Sequence, residues 1–274
     1  MLRYDVFKYR ELKKKEISIK DKSPRDLPNG IYLNNIIFGF SRKKRYFDNL
    51  NLSIKAGQRI ALIGNNGSGK STCAKIIAGL IQPQEGEVFI LGQNMESLTP
   101  IDRVKMIGYV GQENFFFEGT LKDNLTLWNS TFKDEQIIEA LKMAKALNIL
   151  ESRPEGLYAK VYEGGKNYSG GQLQRLAIAR TLLINMPVLI LDDALFALDP
   201  QLKESVTKEI FSHSDKTIIT VSHDLLKMPD FDEIYIFSEG KIVAFGTHDE
   251  LMKLEFYQKQ FENAQNHSKK IKGF

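Results

Sequence analysis

Arg59–Thr72, RIALIGNNGSGKST, decides the fold. The apolar run RIALI feeds a glycine-rich turn, GNNGSGKST over Gly64 to Thr72, and the segment KSTCAKIIAGL that follows reads as a helix. The turn matches G-x-x-x-x-G-K-[ST] in the setting that pattern demands, a strand before it and a helix after it. Glycines let the backbone wrap close to phosphate oxygens, while successive N–H groups and the positive helix end face the anion. Gly64, Asn65, Asn66, Gly67, Ser68 and Gly69 are therefore the expected cradle, Lys70 its point charge, Ser71 a ligand for Mg2+, and Thr72 the last residue of the motif.

A phosphate cradle of this kind needs a second Mg2+ partner, an Asp at the end of a neighbouring apolar strand. VLILD supplies it as Asp192, where open α/β sheets place ligands. Elsewhere short apolar runs alternate with helical segments: IGYV, then VLILD with PQLKESVTKEIF, then TIITVSHD and a last strand pair, DEIYIFSEGKIVAFG. That alternation predicts an α/β fold with a P-loop core and a mostly parallel sheet. Upstream, IYLNNIIFGF and LNLSI flank the polar SRKKRYFDN and are joined by EVFILG, which predicts an N-terminal antiparallel β subdomain. Between Gln112 and Ser169 the β signal fades and DEQIIEALKMAKAL has apolar residues at helical spacing, so a helical subdomain is expected over about residues 113–175. The chain thus divides into a basic linker or arm over 1–29, a body over 30–260 and a polar basic tail over 261–274.

Composition narrows the class. Hydrophobic residues make up 42% of the 274, enough for a packed core, and the one cysteine, Cys73, excludes an intramolecular disulfide framework. The longest apolar candidate for a span, TLLINMPVLIL, is broken by Asn185 and Pro187 and falls short of the roughly 20 residues a membrane helix needs. The stretch MLRYDVFKYRELKKK has no apolar h-region, so no secretory signal is read there. Residues 1–30 hold nine Lys/Arg against five Asp/Glu, and the other residues balance at 29 against 29. A neutral body argues against a nucleic-acid partner, and the basic arm suits either a solvated linker or anionic headgroups.

Downstream of these motifs, YSGGQLQRLAIAR closely matches the LSGGQ signature of ATP-binding cassette (ABC) ATPases, and with the P-loop before it and LDD after it the chain resembles that family over about residues 31–260. At a helix start, SGGQ offers the Ser169 hydroxyl, the close N–H groups of Gly170 and Gly171, and a helix dipole, with Gln172 completing the motif. The resemblance implies that this second cradle caps the γ-phosphate of ATP held by another cassette, in a head-to-tail dimer around two ATP. It further implies an aromatic on adenine at Phe40, a Q-loop at Gln112 that reaches Mg2+ and couples to a membrane partner, a D-loop at Asp199 and a switch histidine at His223. GTLKDNL, VYEGG and GTHDEL look like exporter cassettes, and FFFEGTLKDNLTLW is similar to cassettes of bacteriocin and peptide exporters. Glu163 matches the exporter loop that meets the transmembrane domain. On this likeness the chain is an ATP-hydrolysing exporter subunit or excised domain at the cytoplasmic face of the cell membrane. The alternative is a soluble ABC ATPase of the DNA-repair or translation type.

Family members usually carry Glu after the Walker B Asp, and here it is Asp193. The intrinsic acidities are alike, but one methylene fewer draws the oxygens back by about 1 Å, a shift that can cost roughly 10²-fold in rate. The resemblance favours a degenerate site in a heterodimer whose partner holds Glu, with a slow homodimer or a base compensated elsewhere as the other readings.

Overall fold

The computed structural model describes residues 29–41, 45–212 and 215–272, so the arm expected over 1–29 lies, Asn29 apart, outside the described residues. Cα packing divides the chain after Arg103 and again after Lys216, giving one unit from the two flanking pieces and a second from Val104–Lys216. The first unit contains β1 (Ile31–Phe38), β2 (Phe47–Ile54), β3 (Arg59–Gly64), α1 (Lys70–Ile77), β4 (Glu85–Ile90) and β5 (Gln93–Asn94), and the boundary falls within α2 (Pro100–Met106). The second runs through β6 (Ile107–Val110), β7 (Gly119–Thr120), α3 (Leu121–Thr126), α4 (Asp134–Met143), α5 (Leu147–Glu151), β8 (Lys160–Val161), α6 (Gly170–Ile184), β9 (Val188–Asp192) and α7 (Pro200–Ser212). The chain then re-enters the first unit with β10 (Thr217–Val221), β11 (Glu233–Ser238), β12 (Lys241–Gly246), α8 (His248–Leu251) and α9 (Glu255–Lys272).

Within the first unit, β3 lies parallel between β10 and β11, and β12 closes the edge antiparallel to β11. Ile60, Ala61, Leu62 and Ile63 of β3 are all buried, as a parallel strand covered on both faces requires. Burying each large aliphatic side chain contributes about 1.5–3 kcal/mol. A separate antiparallel sheet has the order β2-β1-β4-β5. Its β1 alternates buried Ile31 and Leu33 with half-buried neighbours until Asn35, whose φ of 52° marks a register shift. These are the P-loop core strands and the antiparallel β subdomain that the sequence predicts.

Within the second unit, β6 pairs parallel to β9, and α6 packs on α3 and α4. This unit is wider than the helical block expected over 113–175, because β6, β9 and α7 pack with it. It also holds the antiparallel pair β7–β8, which the sequence pattern did not mark because two-residue strands carry no periodicity. At the other end of the chain, α9 runs through residue 260, where the folded body was expected to stop. Tyr257 is fully buried, and Phe261, 8% exposed, lies 4.7 Å from the His248 ring, so the helix is anchored on both sides of that point.

Candidate functional site

In the first unit, β3 ends at Gly64 with φ 144°, where an added Cβ would collide with the Phe237 carbonyl of β11. Gly69, the N-cap of α1, sits at φ 116°, and a Cβ there would come 2.7 Å from the Phe47 ring. Any side chain at either place would strain the turn or displace its neighbours. Between them the loop closes on itself through Ser68 N–H to the Asn65 carbonyl at 3.1 Å, and Gly240 N–H holds the Ser68 carbonyl at 3.0 Å. Lys70 is 5% exposed, and its ammonium donates to the carbonyls of Gly64 and Asn65, each at 2.9 Å. Asn66 and Gly67 face solvent, while Ser71 and Thr72 are half-buried in the first turn of α1. That turn carries no acidic residue and no side-chain cap, so its dipole presents a positive end to an anion.

Phe40 is 72% exposed, edge-on to Phe38 at 5.1 Å and 5.6 Å from the Tyr46 ring. Tyr46, which the sequence reading passed over, donates its hydroxyl to the Gly67 carbonyl, and burial raises its pKa. Its signal was an aromatic placed among charges in a polar connection, too weak to single out. His223 is exposed two residues beyond Val221, which pairs with Leu62 two residues before Gly64. The first unit thus gathers the cradle, Lys70, Phe40 and His223 at one end of its parallel strands.

In the second unit, Asp192 ends β9 at 5% exposure, and its Oδ2 accepts a 2.6 Å hydrogen bond from the Tyr109 hydroxyl of β6. Burial, then the Asp192 bond and charge, then the charge of Asp193, push that hydroxyl far above the usual tyrosine range, so it stays a donor. Asp193 is half-buried with φ 51°, a left-handed conformation that Asp tolerates better than longer side chains, and its carbonyl accepts Phe196 N–H at 3.1 Å. Asp199 Oδ1 accepts Leu202 N–H at 3.0 Å and so caps α7.

Gln112 is exposed, and the carbonyl of Gly111 just before it is held by Gln174 Nε2 at 3.2 Å and Asn114 Nδ2 at 3.0 Å. Gln174 belongs to α6, whose N-cap is Ser169. Ser169 Oγ accepts Gln172 N–H at 3.3 Å and Gln172 Oε1 accepts Ser169 N–H at 2.9 Å, a reciprocal capping box. Gly170 is exposed, and a Cβ on Gly171 would stand 3.3 Å from the Ala197 carbonyl. Arg175, its pKa lowered by burial and partly restored by the charge of Asp199, ties α6 to the Asn148 side chain at 2.9 Å. The second unit therefore brings Asp192, Gln112, the Ser169–Gln172 turn and Asp199 into one connected neighbourhood through Tyr109, Gly111, Gln174 and Arg175.

The same unit exposes an aromatic cluster. Phe115 and Phe117 stand 4.8 Å apart edge to face, and Phe117 meets Trp128 at 5.6 Å, with exposures of 58%, 43% and 54%. Phe116 between them is buried beneath the Arg180 guanidinium at 4.4 Å, and burial draws Arg180 down to about 10. Glu163 is exposed at the start of a 3-10 turn whose Gly164 N–H donates to the Phe116 carbonyl at 2.8 Å. No helix among the described residues is long and apolar enough to cross a membrane.

A family model described as ABC transporter matches residues 47–196. Among curated proteins, an ABC-type transporter of Aspergillus fumigatus is 39% identical over 214 residues, which is 76% of this chain and 16% of that protein. A multidrug export ATP-binding/permease protein of Staphylococcus aureus is 37% identical over 219 residues, covering 79% of this chain and 38% of that one. A solved bacterial Atm1-family ABC exporter with ATP bound superposes with a TM-score of 0.80 at 29% identity, over 86% of this chain and 41% of that one. The chain therefore spans well under half the length of these relatives.

Proposed function

The chain belongs to the ABC transporter family, and from that premise we propose that it is the ATP-binding and ATP-hydrolysing cassette of an exporter, working at the cytoplasmic face of a membrane. The observation that carries the nucleotide reading is Lys70, a buried ammonium at the acid-free start of α1 that donates to two carbonyls of its own glycine-rich loop. Phosphate oxygens would give that cation charge-assisted hydrogen bonds. Phe40 and Tyr46 supply aromatic surface beside the cradle for the base, and His223 is the group to meet the terminal phosphate.

The residues fit Mg2+. Asp192 and the Ser71 hydroxyl are hard oxygen donors, and among the described residues no group of three His, Cys, Asp or Glu side chains forms a ready-made cage. Mg2+ at phosphoryl-transfer sites takes one or two protein oxygens and completes its shell with substrate phosphates and water. When bound it neutralises charge on the transferred phosphoryl group. Gln112 is the further side chain we assign to it.

We assign Ser169, Gly170, Gly171 and Gln172, with Asp199, to the ATP held by a second cassette, since Gly170 is exposed at the amino end of a 15-residue helix. Asp193, with its short reach, favours a heterodimer in which the partner holds the efficient carboxylate. The aromatic cluster at Phe115, Phe117 and Trp128, beside the Glu163 turn, supports a transmembrane partner. The export relatives and this surface leave the soluble DNA-repair or translation reading unfavoured.

The test is the ATPase rate of the intact transporter carrying Asp193→Glu or Gly170→Asp in this chain. In an asymmetric pair Gly170→Asp removes most turnover because it cripples the partner's site, whereas Asp193→Glu raises only the slower site, by up to roughly 10²-fold. A transporter indifferent to Gly170→Asp would sink the shared-site reading.

A further inference from the structure

Tyr168 stands immediately before the capping serine of α6, and it is unusual in its surroundings. Its ring is 7% exposed, the Arg153 guanidinium carbon lies 4.0 Å from the ring centroid, and Arg153 Nη2 donates to the carbonyl of Asn167 at 3.0 Å. Asn167 is itself a clip: its Oδ1 accepts Tyr162 N–H at 3.0 Å and its Nδ2 donates to the Lys160 carbonyl at 2.7 Å. Tyr168 N–H donates to the Gly165 carbonyl at 2.9 Å. Lys160, Tyr162, Gly165, Asn167 and Tyr168 are thereby tied to one another, and Arg153 meets both Asn167 and Tyr168.

The pair is polar where an apolar contact would pack more easily. Both Arg153 Nε and the Tyr168 hydroxyl are buried without a hydrogen-bond partner among the described residues. Burying polar atoms unpaired costs free energy, so the arrangement persists only if the stack and the Asn167 bond offset it. A desolvated guanidinium over an aromatic face is the stronger form of this contact, and its planar geometry restricts where the ring and the attached backbone can sit.

We propose that Arg153 and Tyr168 are positioning residues for the second phosphate cradle: the stack fixes the backbone entering Ser169 and so sets where the Ser169 hydroxyl and the Gly170 and Gly171 N–H groups point. The proposal rests on the reading of Ser169–Gly171 as a cradle for the partner cassette's ATP. The hydroxyl of Tyr168 has no part in it; the ring face does. Charge alone is insufficient, because an ammonium in place of the guanidinium cannot both stack flat and reach the Asn167 carbonyl.

The experiment measures, in the intact transporter, the ATP concentration that half-closes the two cassettes, read as a spin-label distance between them, together with the thermal midpoint of each variant. Tyr168→Leu and Arg153→Met each raise the half-closing concentration about 2- to 30-fold, the range a cation–π contact supports. Tyr168→Phe leaves it unchanged, and Arg153→Lys shares the defect at an unaltered thermal midpoint. The double variant Arg153→Met with Tyr168→Leu is no worse than either single one, because it removes both buried polar groups together. Unchanged closure in Tyr168→Leu and Arg153→Met, or strictly additive effects in the double variant, would overturn the pair. Gly170→Asp is the control: if it too leaves closure intact, the cradle reading itself fails, and if it alone abolishes closure, only the positioning role is lost.

Discussion

Three side chains that shape the candidate site have partners far away in sequence. Tyr109 reaches Asp192 across 83 positions, Gln174 reaches Gly111 across 63, and Tyr46 reaches Gly67 across 21. None is marked by a local pattern, which explains why the motif residues were legible in the sequence and these supports were not. Spacing records what one turn or one helix face needs, and it is blind to a tyrosine whose role depends on the adjacent strand. Tyr109 makes the clearest case. By donating to Asp192 Oδ2 it holds one carboxylate oxygen and orients the other, the task of groups that surround metal ligands. Tyr109→Phe is expected to weaken Mg2+ affinity about 10- to 100-fold while nucleotide still binds. Titrating Mn2+ into the nucleotide-loaded protein and following its spin signal checks this, and equal affinities in the two proteins would refute it. Asp193 shows the limit from the other side. Its identity was readable and raised the question of catalytic reach, but its φ of 51° was not. Introducing Glu there lengthens the reach and adds backbone strain of about 1 kcal/mol, so a faster variant should also be slightly less stable.

Helices α3, α6 and α8 begin with the same device. Thr120 with Asp123, Ser169 with Gln172 and Thr247 with Glu250 form reciprocal capping boxes. GTLKDNL, SGGQ and GTHDEL stand out in the sequence because two residues three apart are both constrained, one as cap and one as its return partner. The local chemistry was thus visible as motif before its geometry was known. In α3 the Thr120 hydroxyl, then its N–H, hold the Asp123 carboxyl below the usual carboxylate range. A depressed folded-state pKa means that the stabilising contribution is present above the unfolded value of about 3.9 and fades as pH falls through the folded one. Thr120→Ala should cost about 1 kcal/mol at neutral pH. Urea unfolding of the parent chain and of Asp123→Asn should differ at pH 7, and the difference should shrink at acid pH. A gap that stayed constant across that range would show that the carboxylate is not the group responsible.

On the proposed reading, charge and apolar surface together determine how this chain would meet a membrane protein. Apart from its first 30 residues the chain has equal numbers of basic and acidic groups, so attraction to headgroups cannot come from the body. What the second unit offers instead is aromatic surface, with Phe115, Phe117 and Trp128 touching one another and each more than two-fifths exposed. The cluster is held rigidly. Arg180 donates to the Phe115 carbonyl at 3.1 Å and the Asn124 carbonyl at 2.9 Å, while Asn124 Oδ1 accepts Phe117 N–H at 2.9 Å. Ordering loops and side chains on association is costly, so a preformed aromatic surface favours binding. Exposed aromatics of this kind are where interface energy concentrates, each truncation removing about 1–2 kcal/mol. Phe117→Ser combined with Trp128→Ser should therefore weaken retention of this chain by the proposed transmembrane partner at least roughly 30-fold. The cradle residues 64–72 belong to the other unit, so ATP affinity of the unassembled chain should be unaffected. Co-purification from membranes, paired with nucleotide titration of the released chain, separates the two effects. Full retention of the double variant would mean that the partner grips another surface, and lost ATP binding would mean that the substitutions damaged the fold instead of the contact.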